Sequence, residues 1–285
     1  MKAVMTARYH SIEKGLSLKQ PRVGFGKERI DQLMSNAMDY AALYGVDDTI
    51  KIVVSVLKSY CAFNLAHGHT DAHLLTRIEK LSNMKGGAES CELGQAGWLE
   101  ETKESITRYS KVDIKNFFLK RYSIRNFAKE PVDLEDIKAA VVMAQKTPSV
   151  CNRQSSKVYV YGSGPTMVKA LELQKGNKGF EDQIDKLLIV TSDVQHFIAV
   201  GERNQGWIDG GMFAMSLIYA LHSLGLGTCC LNWSAEKDRD QKLRALTGIG
   251  PSECIIMMIA VGQLPSQLRV AASPRKRIQD VLIIK

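Results

Sequence analysis

Apolar residues recur at helical spacing through the first hundred residues and at strand spacing beyond about residue 150. Ile30, Leu33, Met34, Ala37, Met38 and Ala41 stand three or four apart, which predicts one apolar helix face. Asp47-Asp48 open a second helix through Ile52, Val56, Leu57 and Tyr60, with acidic residues at its positive end. Asp71 reads as the N-cap of a third, burying Leu74, Leu75, Ile78 and Leu81. The stretch from Lys85-Gly86-Gly87-Ala88 to Gly97 reads as a loop, followed by a charged helix at about 98–109. Residues 1–26 show little periodicity and predict an irregular arm ending in the Gly24-Phe25-Gly26 turn. The expected organisation is an N-terminal arm and helical region at 1–110 and a second domain at 111–285, with the boundary at Tyr109-Ser110-Lys111.

The second region is mixed. A short helix precedes Arg121, and Asp133-Leu134-Glu135-Asp136 open a helix that ends at Pro148. Val-, Ile- and Tyr-rich runs at 157–161, 187–191, 228–233 and 255–261 predict strands. Residues 203–224 predict a long helix with Trp207, Gly211, Met215, Ile218 and His222 on one stripe, and Gly210-Gly211 permit a close approach. Strands outside a βαβ rhythm indicate an α+β fold.

Composition narrows the class. Of 285 residues, 45% are hydrophobic and 24% charged, enough for a sizeable core. No uninterrupted apolar run approaches the roughly 18 residues that span a bilayer, and the first residues lack a signal-peptide core. Six cysteines without CxxC spacing read as reduced thiols, so the expected location is cytoplasmic. The net charge of +8 sits at the ends: residues 1–30 hold seven Lys/Arg against two Glu, and 269–285 hold five against one Asp. That distribution suits arms around an anion better than a nucleic-acid recognition stripe, so no nucleic-acid partner is expected.

Two segments carry candidate chemistry. In Arg121-Tyr122-Ser123-Ile124-Arg125-Asn126-Phe127, extended backbone would turn Arg121, Ser123 and Arg125 to one face. Two guanidiniums and a hydroxyl suit a phosphate with a polyhydroxyl tail. Pro148-Ser149-Val150-Cys151-Asn152-Arg153-Gln154 offers an amide, a guanidinium and an amide, and amides pair with a heterocycle edge that both donates and accepts. Phosphate, polyol and heterocycle together describe flavin mononucleotide (FMN).

At these residues the chain resembles the nitroreductase family of FMN-dependent oxidoreductases. The first segment matches the family pattern Arg-x-Ser-x-Arg/Lys-x-Phe. The second matches Pro-Ser-x-x-Asn-x-Gln and departs at Ser155-Ser156, where the family has Pro-Trp. Gly225-Leu226-Gly227-Thr228-Cys229-Cys230 is similar to a third motif, and Val261 to Pro265 with the basic Pro274-Arg275-Lys276-Arg277 to a fourth. The resemblance covers about 116–285. It implies a mainly antiparallel sheet flanked by helices, with 1–110 as an addition, and a homodimer that takes hydride from NAD(P)H for a small-molecule substrate. It assigns Arg121, Tyr122, Ser123, Arg125, Pro148, Ser149, Asn152, Gln154, Gly227, Thr228 and Arg275 to the cofactor, with Arg125 and Thr228 nearest the reacting ring and Ser149 reaching across the dimer.

Other features weigh less. Gly225-Leu226-Gly227-Thr228 also reads as a helix C-cap leading into a strand, and Gly162-Ser163-Gly164-Pro165 as a strand-to-helix turn. Cys229 and Cys230 read as strand packing, and the histidines of 67–73 as a solvated loop, so no metal is expected. His10-Ser11-Ile12-Glu13-Lys14-Gly15 resembles a segment of nitroreductase-like proteins from bacterial polysaccharide gene clusters. His10 and Lys14 are therefore candidate contacts to an anionic or sugar-linked substrate, in a lid or in an arm pinned by salt bridges. Two alternatives stay open: a flavin enzyme of other chemistry (dehalogenation, flavin fragmentation, oxidation of a biosynthetic intermediate), or a flavin-free scaffold of polysaccharide assembly.

Overall fold

A computed structural model describes residues 1–85, 96–108 and 112–285. The expected boundary at Tyr109-Ser110-Lys111 and most of the expected loop 85–97 lie outside the described residues. Two compact units appear: residues 1–112, 148–155 and 194–205 form one, and residues 113–147, 156–193 and 206–285 the other.

The first unit is helical, with α1 (Lys2–Leu16), α2 (Lys27–Tyr44), α3 (Asp48–Ala66), α4 (Ala72–Ser82) and the short α5 (Lys103–Thr107). The arm expected to be irregular is α1. Its buried residues Met5, Tyr9, Ile12 and Leu16 follow a four-three-four spacing, one residue per turn, with Arg8, His10 and Lys14 between them. So narrow a stripe leaves most of the sequence polar. Gly15 admits the Phe25 ring, which packs edge-on against Tyr60. The α2, α3 and α4 patterns appear as expected, with Asp47 capping α3 and Asp71 capping α4 through their carboxylates. Leu75 is exposed rather than buried, because the stripe Leu74, Ile78 and Leu81 already fills that face. The charged helix expected over 98–109 is only α5, since the Thr102–Ser105 capping box sets its start. Among the described residues α3 is the one helix long and apolar enough to cross a membrane by length and composition. Asp48, Lys51 and Lys58 interrupt it, and its Ile50, Val53, Val56 and Leu57 are fully buried in this unit's core.

The second unit is α+β: α6 (Ile114–Lys120), α7 (Leu134–Ala144), β1 (Ser156–Gly162), α8 (Pro165–Gln174), β2 (Lys186–Asp193), α9 (Gln205–Ser223), β3 (Leu226–Asn232), α10 (Lys237–Thr247) and β4 (Glu253–Gln263). The four strands are antiparallel in the order β1-β2-β4-β3. Alternation along β2 sorts the core. Leu187 and Ile189 join Met167, Ala170 and Leu171 of α8 and Leu243 of α10, whereas Leu188 and Val190 join Ile137 of α7 and Phe213, Ala214 and Leu217 of α9. Both faces of the sheet are covered, so Leu187 to Val190 of β2 read as an unbroken apolar run. The buried residues of α9 are Gly206, Asp209, Gly210, Phe213, Ala214, Leu217, Ile218, Ala220 and Leu221; of the Trp207 stripe, Ile218 is among them and Trp207 is exposed. Gly210 does permit a close approach, for a Cβ there would stand 2.5 Å from the Ile256 side chain.

Candidate functional site

After α6 the chain runs extended from Arg121. Ser123 forms a parallel bridge to Thr228 of β3, and the Ile124 N–H donates to the Thr228 carbonyl at 2.8 Å. The Phe127 N–H donates to Gln183 Oε1 at 3.2 Å and the Ala128 N–H to the Gln263 carbonyl at 2.9 Å. Ile124 and Phe127 bury their side chains beneath this segment. Two glycines make the room. Gly227 and Gly262 pair across β3 and β4, and a Cβ on Gly262 would stand 2.7 Å from the Phe127 ring. Gly262→Ala is therefore expected to destabilise by about 1–3 kcal/mol through overpacking. A melting temperature equal to the parent's would show that Phe127 has room to yield.

The anchored segment delivers Arg121, Tyr122, Ser123 and Arg125 to one cavity of about 470 Å³, which Arg275 also lines. None of the three guanidiniums has a carboxylate partner among the described residues. Arg275 donates to the Ser273 carbonyl at 2.5 Å. Three uncompensated cations and a hydroxyl around one space form an anion site with polyol capacity, and the volume is that of a small-molecule pocket. Phe118 and Tyr219, with ring centroids 4.4 Å apart, add an aromatic wall. The sequence reading did not single them out, although Phe117-Phe118 stands two residues ahead of the motif. Burial, and then the Arg121 charge, hold His222 below its usual value, so this neighbour adds no cation at neutral pH. Gly227 and Thr228 are buried in β3 and meet the motif through the backbone bridge rather than in the cavity wall. Cys229 is buried and burial raises its thiol, which agrees with strand packing.

Pro148, Ser149, Asn152 and Gln154 fold with the first unit. Cys151, Asn152 and Gln154 all have left-handed backbone, at φ 49°, 51° and 47°. Asn tolerates this region; the other two cost about 1–3 kcal/mol each. The Ser149 carbonyl accepts from the Asn152 N–H at 2.9 Å, and Ser149 Oγ accepts from the Gln154 N–H at 3.0 Å. Arg153 points the other way from its neighbours. Its side chain is fully buried, its two Nη atoms both donate to Glu202, and its guanidinium lies 5.4 Å over the Phe197 ring. The guanidinium of this motif is thus an internal ion-pair partner, not a ligand group.

Glu202 also accepts from the Ile198 and Ala199 N–H groups at 2.8 and 3.2 Å. The Arg153 hydrogen bond, above all, lowers its carboxyl to about 2. A carboxyl depressed in the folded state stabilises fully above its ordinary value near 4.5, and that contribution is lost as pH falls toward 2. Glu202→Gln should therefore lower the melting temperature at pH 7 yet flatten its decline below pH 4.5. Parallel acid profiles for parent and variant would count against the pair.

His10 is half-buried on α1, with Nδ1 3.3 Å from Glu13 Oε2, and Glu13 also accepts from the Gly97 N–H at 3.2 Å. Lys14 is exposed. Gly164 with Pro165 forms the turn that starts α8, as expected.

The sequence matches the family described as "Nitroreductase family" over residues 119–263, just over half of the chain. No curated protein matches. Among solved structures, one from Desulfovibrio desulfuricans, described as a nitroreductase in complex with FMN, superposes with a TM-score of 0.53 at 19% identity, over 61% of this chain and 98% of its own. A Staphylococcus epidermidis structure described as an NAD(P)H:FMN oxidoreductase gives 0.54 at 18%, over 61% and 96%. The NfrA1 nitroreductase of B. subtilis gives 0.53 at 19%, over 60% and 73%. At such identities these likenesses speak to the fold, and none supports the polysaccharide association. With the antiparallel sheet, the anchored Arg-x-Ser-x-Arg segment and the match from 119 to 263 in agreement, the chain belongs to the nitroreductase family.

Proposed function

We propose that this chain is an FMN-dependent oxidoreductase that draws hydride from NAD(P)H to reduce a small organic substrate. The observation that carries the reading is the cavity in which Arg121, Arg125 and Arg275 gather beside Ser123 without carboxylate partners among the described residues. Such a cluster pays its own repulsion until an anion arrives. Arg121, Ser123 and Arg275 would hold the phosphate and ribityl chain, with Tyr122 packing beside them. Arg125 would set positive charge at the edge of the ring and tune its potential. Gly227 and Thr228 would face the reactive edge of the ring by backbone, and the amides of Asn152 and Gln154, with Pro148 and Ser149, would orient a ring edge; the family motif supports these assignments. The flavin supplies reversible hydride transfer when bound. The chain's own part is to bind, orient and exclude water.

Residues 1–110 would be an addition to an FMN-binding domain at 111–285, with His10 and Lys14 as contacts for an anionic substrate. A homodimer is favoured by the second apolar face of α9, where Trp207, Ile208 and Met212 remain exposed opposite the buried one. Purified protein should take up FMN and turn yellow, bleach with NADH or NADPH under anaerobic conditions, and scatter light with twice the chain mass. Failure to take up FMN would sink the enzyme reading; a monomer with full FMN affinity would sink the dimer.

A further inference from the structure

We propose that the Arg153–Glu202 ion pair is a positioning clasp that turns the two amides of the Asn152-Arg153-Gln154 segment outward as a preset, uncharged reader of a planar ring edge. The inference rests on the flavin reading above and adds to it a pair of residues that never touches the ring. Burial alternates along the segment: Arg153 and Ser155 are buried, whereas Gln154 is exposed and Asn152 half-exposed. The two amide residues thus keep solvent access while the cation between them is anchored inside, and Gln154 Nε2 lies 3.4 Å from the Asn152 carbonyl. Arg153 itself has ordinary right-handed backbone, at φ −80°, while the residues on either side are left-handed. One regular residue thus holds two irregular ones.

The anchoring is complete on both sides of Arg153. Its side chain spends both Nη atoms on Glu202 and its Nε on the Val150 carbonyl at 3.2 Å, and its own carbonyl lies 2.8 Å from His196 Nδ1. Glu202 is fixed in turn by the Ile198 and Ala199 N–H groups, so the clasp ties residues 150–154 to 196–202 within one unit. α1 packs against the same turn, Val150–Asn152, and against Val194–His196. A surface loop with three left-handed non-glycine residues would ordinarily relax. Here the relaxed form would have to abandon a fully buried cation and its partly buried carboxylate partner together. The ion pair also cancels the charge of Arg153, so the loop meets a ring edge with neutral donors and acceptors, and positive charge is left to the separate Arg121 cavity.

The test uses the full chain and three variants: Arg153→Ala, Arg153→Lys and Glu202→Gln. FMN affinity is titrated by flavin fluorescence, the visible bands and midpoint potential of the bound flavin are recorded, and melting temperature is followed alongside. Arg153→Ala should weaken FMN by tenfold or more and shift both bands and potential, with Arg153→Lys recovering part of each. Should Arg153→Ala fail to fold, Glu202→Gln and Arg153→Lys carry the same comparison. A lower melting temperature with parental affinity, bands and potential would make the pair a structural tie only and overturn the proposal. Parent protein that binds FMN and loses it in Arg121→Ala, but not in any clasp variant, overturns the clasp alone. Parent protein that binds no FMN overturns the flavin reading and the clasp with it.

Discussion

Arg121→Ala should weaken FMN binding by about 1.5–3 kcal/mol, the worth of a hydrogen bond to a charged group, or roughly ten- to 150-fold in dissociation constant. Three features set that size. Arg121 lies in a cavity wall, so the contact is partly shielded from solvent. It has no competing carboxylate among the described residues, so its charge is available. And its backbone is held by the Ser123–Thr228 bridge and the buried Ile124, so little ordering remains to be done on binding. Arg121→Lys should fall between, keeping the charge and losing the planar fork. Arg275→Ala should cost less, because Arg275 is exposed and its guanidinium already donates to the Ser273 carbonyl. Fluorescence titration at two salt concentrations decides the matter. Affinity equal to the parent's in Arg121→Ala would remove this residue from the phosphate site.

The parts of the fold legible in the sequence are those in which one local signal governs. Asp47, Asp71 and Asp133 cap helices where they were expected, because a carboxylate one residue before an apolar stripe has a single good use. The strands were legible because β2 is covered on both faces and Leu187 to Val190 run without a polar interruption. Two helices were not. The core stripe of α1 is one residue wide, and α10 buries Leu243 alone, so neither breaks the polar background. On α9 the limit is different: that helix is apolar on more than one face, and periodicity cannot say which face meets the sheet. Arg153 shows the same limit at the candidate site. Between two amides it reads as one of three ligand groups, whereas the distant Glu202 gives its charge an inward partner. Spacing along the chain carries no trace of a residue forty-nine positions away.

Deleting residues 1–26 should unfold the helical unit rather than merely uncover a site. As an irregular arm this segment could be removed at small cost; as α1 it belongs to the core. Met5, Ile12 and Leu16 are almost fully buried, and at about 1.5–3 kcal/mol each their loss amounts to roughly 4.5–9 kcal/mol, comparable to the whole stability of a domain. Tyr9 is buried as well, and Phe25, lost with the same deletion, packs against Tyr60. Because α1 also packs against the Val150–Asn152 turn, the amide segment should lose its support in the same event. The expected result is loss of helical ellipticity, a missing or lowered melting transition and proteolytic cleavage within 27–85. A truncated chain that melts like the parent would return residues 1–26 to the status of a detachable arm. The substrate question therefore needs point variants. His10 is half-buried and Lys14 exposed, so His10→Ala and Lys14→Ala should each change stability by no more than about 0.5 kcal/mol. If either residue holds an anionic substrate, its variant raises KM for that substrate while melting temperature and FMN affinity stay with the parent. If both turn over like the parent, His10 serves only its pairing with Glu13, and the contribution of α1 is packing.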